Sequence, residues 1–273
     1  MRAGRNVNDT VEFINRITGA SSPAIGIILG TGLGGLVKDI HIEHKIDYKD
    51  ISHFPVSTVE SHHGNLIFGA IAGKNCVIMQ GRFHYYEGYM HDDITYPIRV
   101  MAGLGVRELL VSNACGGLNP VFRRSDLMIM RDHINFHFTT PFRGNNHHLY
   151  CNRHAYDAGL VKLAEQVALE NKIKIRKGVY LSLQGPCLET RTEYRMARKF
   201  GADVVGMSTI PEALLAVNHN MRVLGLSIVT DMGLPDTLKP AVISEILEAA
   251  AEAEPNLTLL TEKIIERISD SSD

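Results

Sequence analysis

The 273 residues are 45% hydrophobic with a formal charge of −2 at pH 7, enough apolar material for a substantial core and without the basic block that nucleic acid or an anionic membrane surface calls for. No apolar run reaches membrane-spanning length, and no basic stretch precedes an apolar one as in a secretory leader. Cys76, Cys115, Cys151 and Cys187 are widely spaced with no C-x-x-C, and no linker or repeat divides the chain; the expectation is one domain over residues 1–273 in a reduced, cytoplasmic setting.

From the start of the chain, Asp9 and Thr10 stand where a helix cap belongs, ahead of Val11, Ile14 and Ile17 on one face. Residues 24–29 are too apolar for an edge strand and read as the first buried one. That strand ends in Gly30-Thr31-Gly32-Leu33-Gly34-Gly35, formally G-x-G-x-x-G, yet no helical period or second strand follows as a dinucleotide site needs. The loop reads instead as a holder of a smaller anion through backbone N–H groups and the Thr31 hydroxyl. Past His62 and His63, strands at 65–72 and 75–80 are joined by a Gly73-Lys74 turn.

The second of these strands delivers Gly81-Arg82-Phe83-His84-Tyr85-Tyr86-Glu87-Gly88-Tyr89, too polar and aromatic for an ordinary turn. Arg82 offers a planar fork to an oxyanion, and His84 donates or accepts near neutral pH. A Tyr-rich subunit contact fits the same composition. A helix from Asp92-Asp93 to Gly105 leads to a strand at 108–112, which ends in the glycine-rich loop 113–120. A strand at 126–130 follows, and residues 136–151 read as a long irregular segment rich in His and Asn. The histidines at 133, 137, 147, 148 and 154 lack metal-ligand spacing and an acid pair, so no metal is assigned and a partner-contacting loop is preferred.

A helix at 155–171 and a strand at 179–183 lead to Glu189, which either caps the next helix or faces a ligand. Thr190 and Glu193 have capping-box spacing. Residues 203–207 read as a strand, Thr209 and Glu212 as a second capping box with Pro211 in the first turn, and 223–230 as a strand parallel to the first through a right-handed crossover. Ligands collect beyond the carboxyl ends of such strands, here Met207-Ser208 and Thr230-Asp231. Ser208 would receive an anion at a helix N-terminus or, with Thr209, serve only as a cap. Helices at 241–253 and 257–268, separated at Pro255, close the chain.

Five ordered blocks, GTGLGG at 30–35, GRFHYYEGY at 81–89, SNACGGLNP at 112–120, GPCLETRTEYR at 185–195 and GADVVGMSTIPEA at 201–213, resemble the trimeric purine nucleoside phosphorylases. The resemblance implies a single α/β domain around a central mixed, distorted barrel-like sheet flanked by helices. It also implies a homotrimer, and purine salvage by phosphorolysis of purine nucleosides, with inorganic phosphate as co-substrate and no cofactor or metal. It implies phosphate held by Thr31, Arg82, His84, the backbone N–H of Ala114, and Ser208; ribose near His62, Tyr86 and Met207; and the base against Glu189 and Asp231, with Val205 and Leu188 lining an apolar slot. His84, Glu189 and Asp231 would carry the catalytic roles.

Three departures from the family pattern stand out. Asp231 occupies a position where 6-oxopurine enzymes usually carry asparagine; an ionised aspartate only accepts, which suits a 6-amino group, or it must be protonated to donate to N7. Methylthioadenosine phosphorylases have that aspartate but replace the serine of the MST motif and lack the glutamate of GP-x-x-ET, so Ser208 and Glu189 favour inosine and guanosine, with 6-aminopurine nucleosides as the alternative. The family histidine that reaches the ribose 5′-hydroxyl has no counterpart at 238–247, and Tyr150 is the nearest candidate for the aromatic residue lent by a neighbouring subunit.

Overall fold

The computed structural model describes residues 6–30, 34–56, 64–142 and 154–269. Thr31, His62 and Tyr150, as well as His147 and His148, lie outside the described residues. The elements in chain order are α1 (Val7–Thr18), β1 (Ile25–Leu29), β2 (His41–Asp47), β3 (Asn65–Ile71), β4 (Lys74–Gln80), α2 (His91–Ile94), α3 (Tyr96–Gly103), β5 (Glu108–Gly117), β6 (Leu127–Asn135), α4 (Ala158–Glu170), β7 (Ile175–Ser182), α5 (Arg191–Lys199), β8 (Val204–Gly206), α6 (Ile210–Asn218), β9 (Arg222–Met232) and α7 (Ile243–Arg267).

These strands form one nine-stranded mixed sheet in the order β2-β3-β4-β1-β5-β8-β7-β6-β9. A further β5–β9 pairing closes β5, β8, β7, β6 and β9 into a barrel. The outer face is covered on one side by α1, α3 and α6, whose Ile14, Val100 and Ala213 join the same buried cluster, and on the other by α4 and α7 with Leu160, Leu260 and Ile264. This is the α/β arrangement of a central mixed sheet flanked by helices.

β5 is the organising strand. β1 lies parallel along its first half, from Ile25 opposite Glu108 to Ile28 opposite Val111. β8 then pairs antiparallel with Gly116 and Gly117, while β9 follows the other side along the whole length. Residues 112–115 are thus left without a strand on one edge, and their polar backbone groups must find other partners.

Several sequence expectations are corrected. The first helix starts at Val7, capped by the Asn6 side chain on Asn8 N–H rather than by Asp9 or Thr10. The β3–β4 turn is Ala72-Gly73, both at positive φ, a twist that matches a two-residue hairpin. The helix expected from residue 92 breaks at Thr95, because Pro97 has no N–H with which to continue α2 into α3. The glycine-rich stretch after residue 112 is strand as far as Gly117, not loop. α7 runs unbroken through Pro255: Pro255 and Ala251, whose carbonyl loses its donor, are exposed to water, and Ala253, Leu257 and Leu260 continue the buried stripe.

The largest correction concerns the stretch 203–230. β8 is antiparallel to β5 and β9 is parallel to it, so β8 and β9 run in opposite directions and the expected parallel crossover does not exist. Their ends still meet at one place, with Val205 and Asp231 flanking Gly116 from opposite sides.

Candidate active site

The open edge of β5 is filled from above by the chain leaving β8. Ser208 and Thr209 run back past Asn113, and Arg82 arrives from the end of β4. Arg82 Nη1 donates to Ser112 O at 2.9 Å, to Ser208 Oγ at 2.9 Å and to Thr209 Oγ1 at 3.1 Å. Its Nε stands 3.2 Å from Glu212 Oε1. A guanidinium at 1% exposure requires such charge and hydrogen-bond compensation. Gly30 completes this floor: a Cβ there would sit 2.7 Å from Ser112 O.

Thr209 and Glu212 therefore do not form a capping box. No side-chain cap hydrogen bond closes α6 at Thr209, because the threonine hydroxyl is engaged by Arg82 and Asn113 and the glutamate by Arg82. The box expected at Thr190 and Glu193 is present, with Glu193 N–H donating to Thr190 Oγ1 and Glu193 accepting from Thr190 N–H.

A cavity of about 170 Å³ lies over this floor. Arg82, His84, Ala114 and Ser208 line it on one side, Glu189, Val205 and Asp231 on another, with Tyr86, Leu188 and Met207 between. Every described residue singled out from the sequence as a site candidate thus faces one space. A larger chamber of about 600 Å³ adjoins it past Leu188, Glu189, Tyr194, Thr230 and Asp231, towards the segment that precedes α7.

Local chemistry distinguishes the two ends. His84 Nδ1 lies 2.9 Å from Glu87 Oε1, which also accepts the His84 backbone N–H at 2.7 Å. The ring is stacked on Tyr86 with centroids 4.8 Å apart. With Nδ1 committed to Glu87, any contact of the imidazole with a ligand passes through Nε2. Burial, with the Glu87 charge, pushes the Tyr86 hydroxyl up to about 12.

At the other end, burial raises the Asp231 carboxyl above its usual range, against the opposing hydrogen bond from Thr230 Oγ1 at 3.1 Å. Burial also raises Glu189, and the Asp231 charge adds to it, while a hydrogen bond with Tyr194 acts in the opposite direction. The two carboxyls thus favour holding a proton more than surface acids do.

Asn113, Tyr194, Thr209 and Glu212 are site residues to which sequence reasoning gave no role in the site. All four fall inside the motif blocks, but the claims of Arg82 on Thr209 and Glu212 depend on folding across more than a hundred residues. Among the described residues no group of three or more His, Cys, Asp or Glu is placed to hold a metal ion. No helix among them is long and apolar enough to cross a membrane.

The defining pattern of the phosphorylase superfamily matches residues 24–266, and purine nucleoside phosphorylase 1 of Bacillus subtilis (strain 168) is 45% identical over 249 residues, 89% of this chain and 92% of that protein. The chain belongs to the purine nucleoside phosphorylases of this superfamily. The purine nucleoside phosphorylase of Bos taurus is 42% identical over 261 residues, covering 91% of this chain and 90% of the relative. The solved Schistosoma mansoni purine nucleoside phosphorylase in complex with adenosine superposes with a TM-score of 0.89 at 41% identity over 97% of both chains. The family fold, a closed mixed barrel with helices around it, is therefore the fold described above, and the cavity at the end of β5 is the natural place to look for the family's chemistry.

Proposed function

We propose that this purine nucleoside phosphorylase cleaves inosine and guanosine, and their deoxy forms, with inorganic phosphate to give the free base and (deoxy)ribose 1-phosphate, reversibly. The observation that carries the reading is the polarity of one cavity: oxyanion donors at Arg82, His84 and Ser208, two carboxyls with raised pKa at Glu189 and Asp231.

In this reading phosphate is held by Arg82, His84, the Ala114 N–H and Ser208, with Thr31 from the glycine loop. Ribose lies against Tyr86 and Met207, with His62, and the base meets Glu189 and Asp231 between Val205 and Leu188. A phosphate oxygen forms the bond to the anomeric carbon as the bond to the purine breaks, and the electron pair leaves with the purine. Desolvation and aiming of phosphate lower the barrier by orienting the nucleophile. A donor at the departing base stabilises charge that exists only in the transition state. Protonated Asp231 would supply that donor, and its raised pKa supports the role.

A second reading follows from the same residue. Ionised Asp231 accepts from a 6-amino group, and a relative of this fold has been solved with adenosine, so 6-aminopurine nucleosides, adenosine or methylthioadenosine, are the alternative substrates. Rates with inosine, guanosine and adenosine at equal concentration decide between them: inosine and guanosine faster supports the first reading, adenosine faster the second. A homotrimer with Tyr150 lent across the interface and a place in purine salvage, as the family resemblance implies, and a cytoplasmic location, as the cysteine usage suggests, complete the proposal.

A further inference from the structure

Thr209 has a backbone that its residue type disfavours. Its φ of +73° and ψ of −50°, with Ile210 N–H donating to Ser208 O at 2.8 Å, make it the centre of a γ-turn, a rare conformation and a strained one for a β-branched side chain. The residue is fully buried. Such strain persists where the surroundings over-determine it, and here the hydroxyl is fixed by three side chains.

Proton directions follow from the donor inventory. Arg82 Nη1, 3.1 Å away, and Asn113 Nδ2, 2.9 Å away, can only donate to Thr209 Oγ1; Nη1 has two hydrogens for Ser112 O, Ser208 Oγ and Thr209 Oγ1, so the two hydroxyls share one of them. The Thr209 proton is thereby turned to Ser208 Oγ, 3.2 Å away. Ser208 Oγ also faces Arg82 Nη1 at 2.9 Å, so two donors point at it. The Ser208 proton is what remains to offer, to a ligand in the cavity that Ser208 lines, in competition with the Tyr180 hydroxyl, which the Ser208 side chain also meets.

We infer that Thr209 is a positioning residue that fixes the Ser208 hydroxyl as a donor towards the phosphate co-substrate. The γ-turn is the device that brings two successive hydroxyls onto the same arginine. The inference rests on the reading that phosphate occupies the Ser208 end of the cavity.

The test compares Thr209→Val, which keeps the β-branched shape and removes the hydroxyl, Thr209→Ser, which keeps the hydroxyl, Ser208→Ala, and the Ser208→Ala/Thr209→Val double variant. KM for phosphate and for nucleoside is measured for each, with thermal unfolding to establish folding. Thr209→Val is expected to raise the phosphate KM about tenfold and leave the nucleoside KM within about twofold, with Thr209→Ser close to the parent. In the Ser208→Ala background the Thr209→Val effect on phosphate KM should largely vanish, since nothing is left to orient.

An unchanged phosphate KM in Ser208→Ala would overturn the phosphate reading itself. A raised phosphate KM in Ser208→Ala but not in Thr209→Val, equal rises for both substrates, or an undiminished effect in the double variant would overturn the role of Thr209 alone. If Thr209→Val does not fold, Asn113→Ala serves, because it removes one of the donors that direct the Thr209 proton. A smaller rise, again confined to phosphate, is expected of it, and no rise contradicts the inference.

Discussion

Arg82 Nε lies 3.2 Å from Glu212 Oε1, with both side chains almost wholly shielded from water. The pair joins the end of β4 to the first turn of α6, and it keeps a cationic fork under the cavity without the cost of an uncompensated buried charge. Glu212→Ala removes a buried counter-charge from that guanidinium, so a loss of about 3–5 kcal/mol in urea unfolding is expected. Glu212→Gln, which keeps shape and one acceptor, should fall between the alanine variant and the parent. Equal stability of all three would mean that the pair contributes nothing.

Asp231 has a pKa raised by burial from 3.8. A carboxyl whose folded pKa lies above its unfolded value binds its proton more tightly when folded. Its contribution is therefore favourable at low pH and is lost as pH rises from about 3.8 through the raised value. Asp231→Asn escapes this loss and should unfold at a higher temperature than the parent at neutral pH, with the gap closing in acid. The same substitution should increase the inosine-to-adenosine rate ratio about tenfold, since an amide both donates and accepts. An unchanged ratio removes Asp231 from base selection.

His137 is buried with its pKa lowered from 6.5 to about 4, first by burial and then by the charge of His91. Its Nε2 lies 2.8 Å from Ser182 Oγ, which donates in turn to Ser208 O at 3.0 Å. The folded state holds the ring neutral while the unfolded chain takes up a proton below 6.5. Stability is thus complete above that pH and lost as pH falls towards about 4, at up to about 1.4 kcal/mol per pH unit for one proton. His91 and His133, also lowered by burial, act in the same direction. His137→Gln should flatten the acid limb of unfolding temperature against pH; an identical slope would show that the histidine does not control it.

The fold was legible where local signals agree with tertiary structure. The apolar run of β1, the hairpin of β3 and β4, and the Thr190 to Glu193 box are set within a few residues of sequence, and they are found close to where the periodicity places them. β2 was not legible, because its exposed edge position leaves only partial alternation. Nor was the direction of β8, which is decided by pairing with Gly116 and Gly117 on a distant strand.

The site shows the same division. Arg82, His84, Glu189, Ser208 and Asp231 stand out as polar residues at strand ends, and all of them face the cavity. Thr209 and Glu212 have the spacing of a helix cap, and that spacing misled. A buried guanidinium outcompetes the helix terminus for both side chains, and nothing within the local sequence announces it.

The most direct test of the account follows products by phosphorus NMR and by base release while inosine is incubated with and without inorganic phosphate. Hypoxanthine and ribose 1-phosphate are expected in equal amounts, with no free ribose and no base release when phosphate is omitted. Free ribose in place of the phosphate ester, or base release that is indifferent to phosphate, would contradict the assignment of Arg82, His84 and Ser208 to the attacking phosphate.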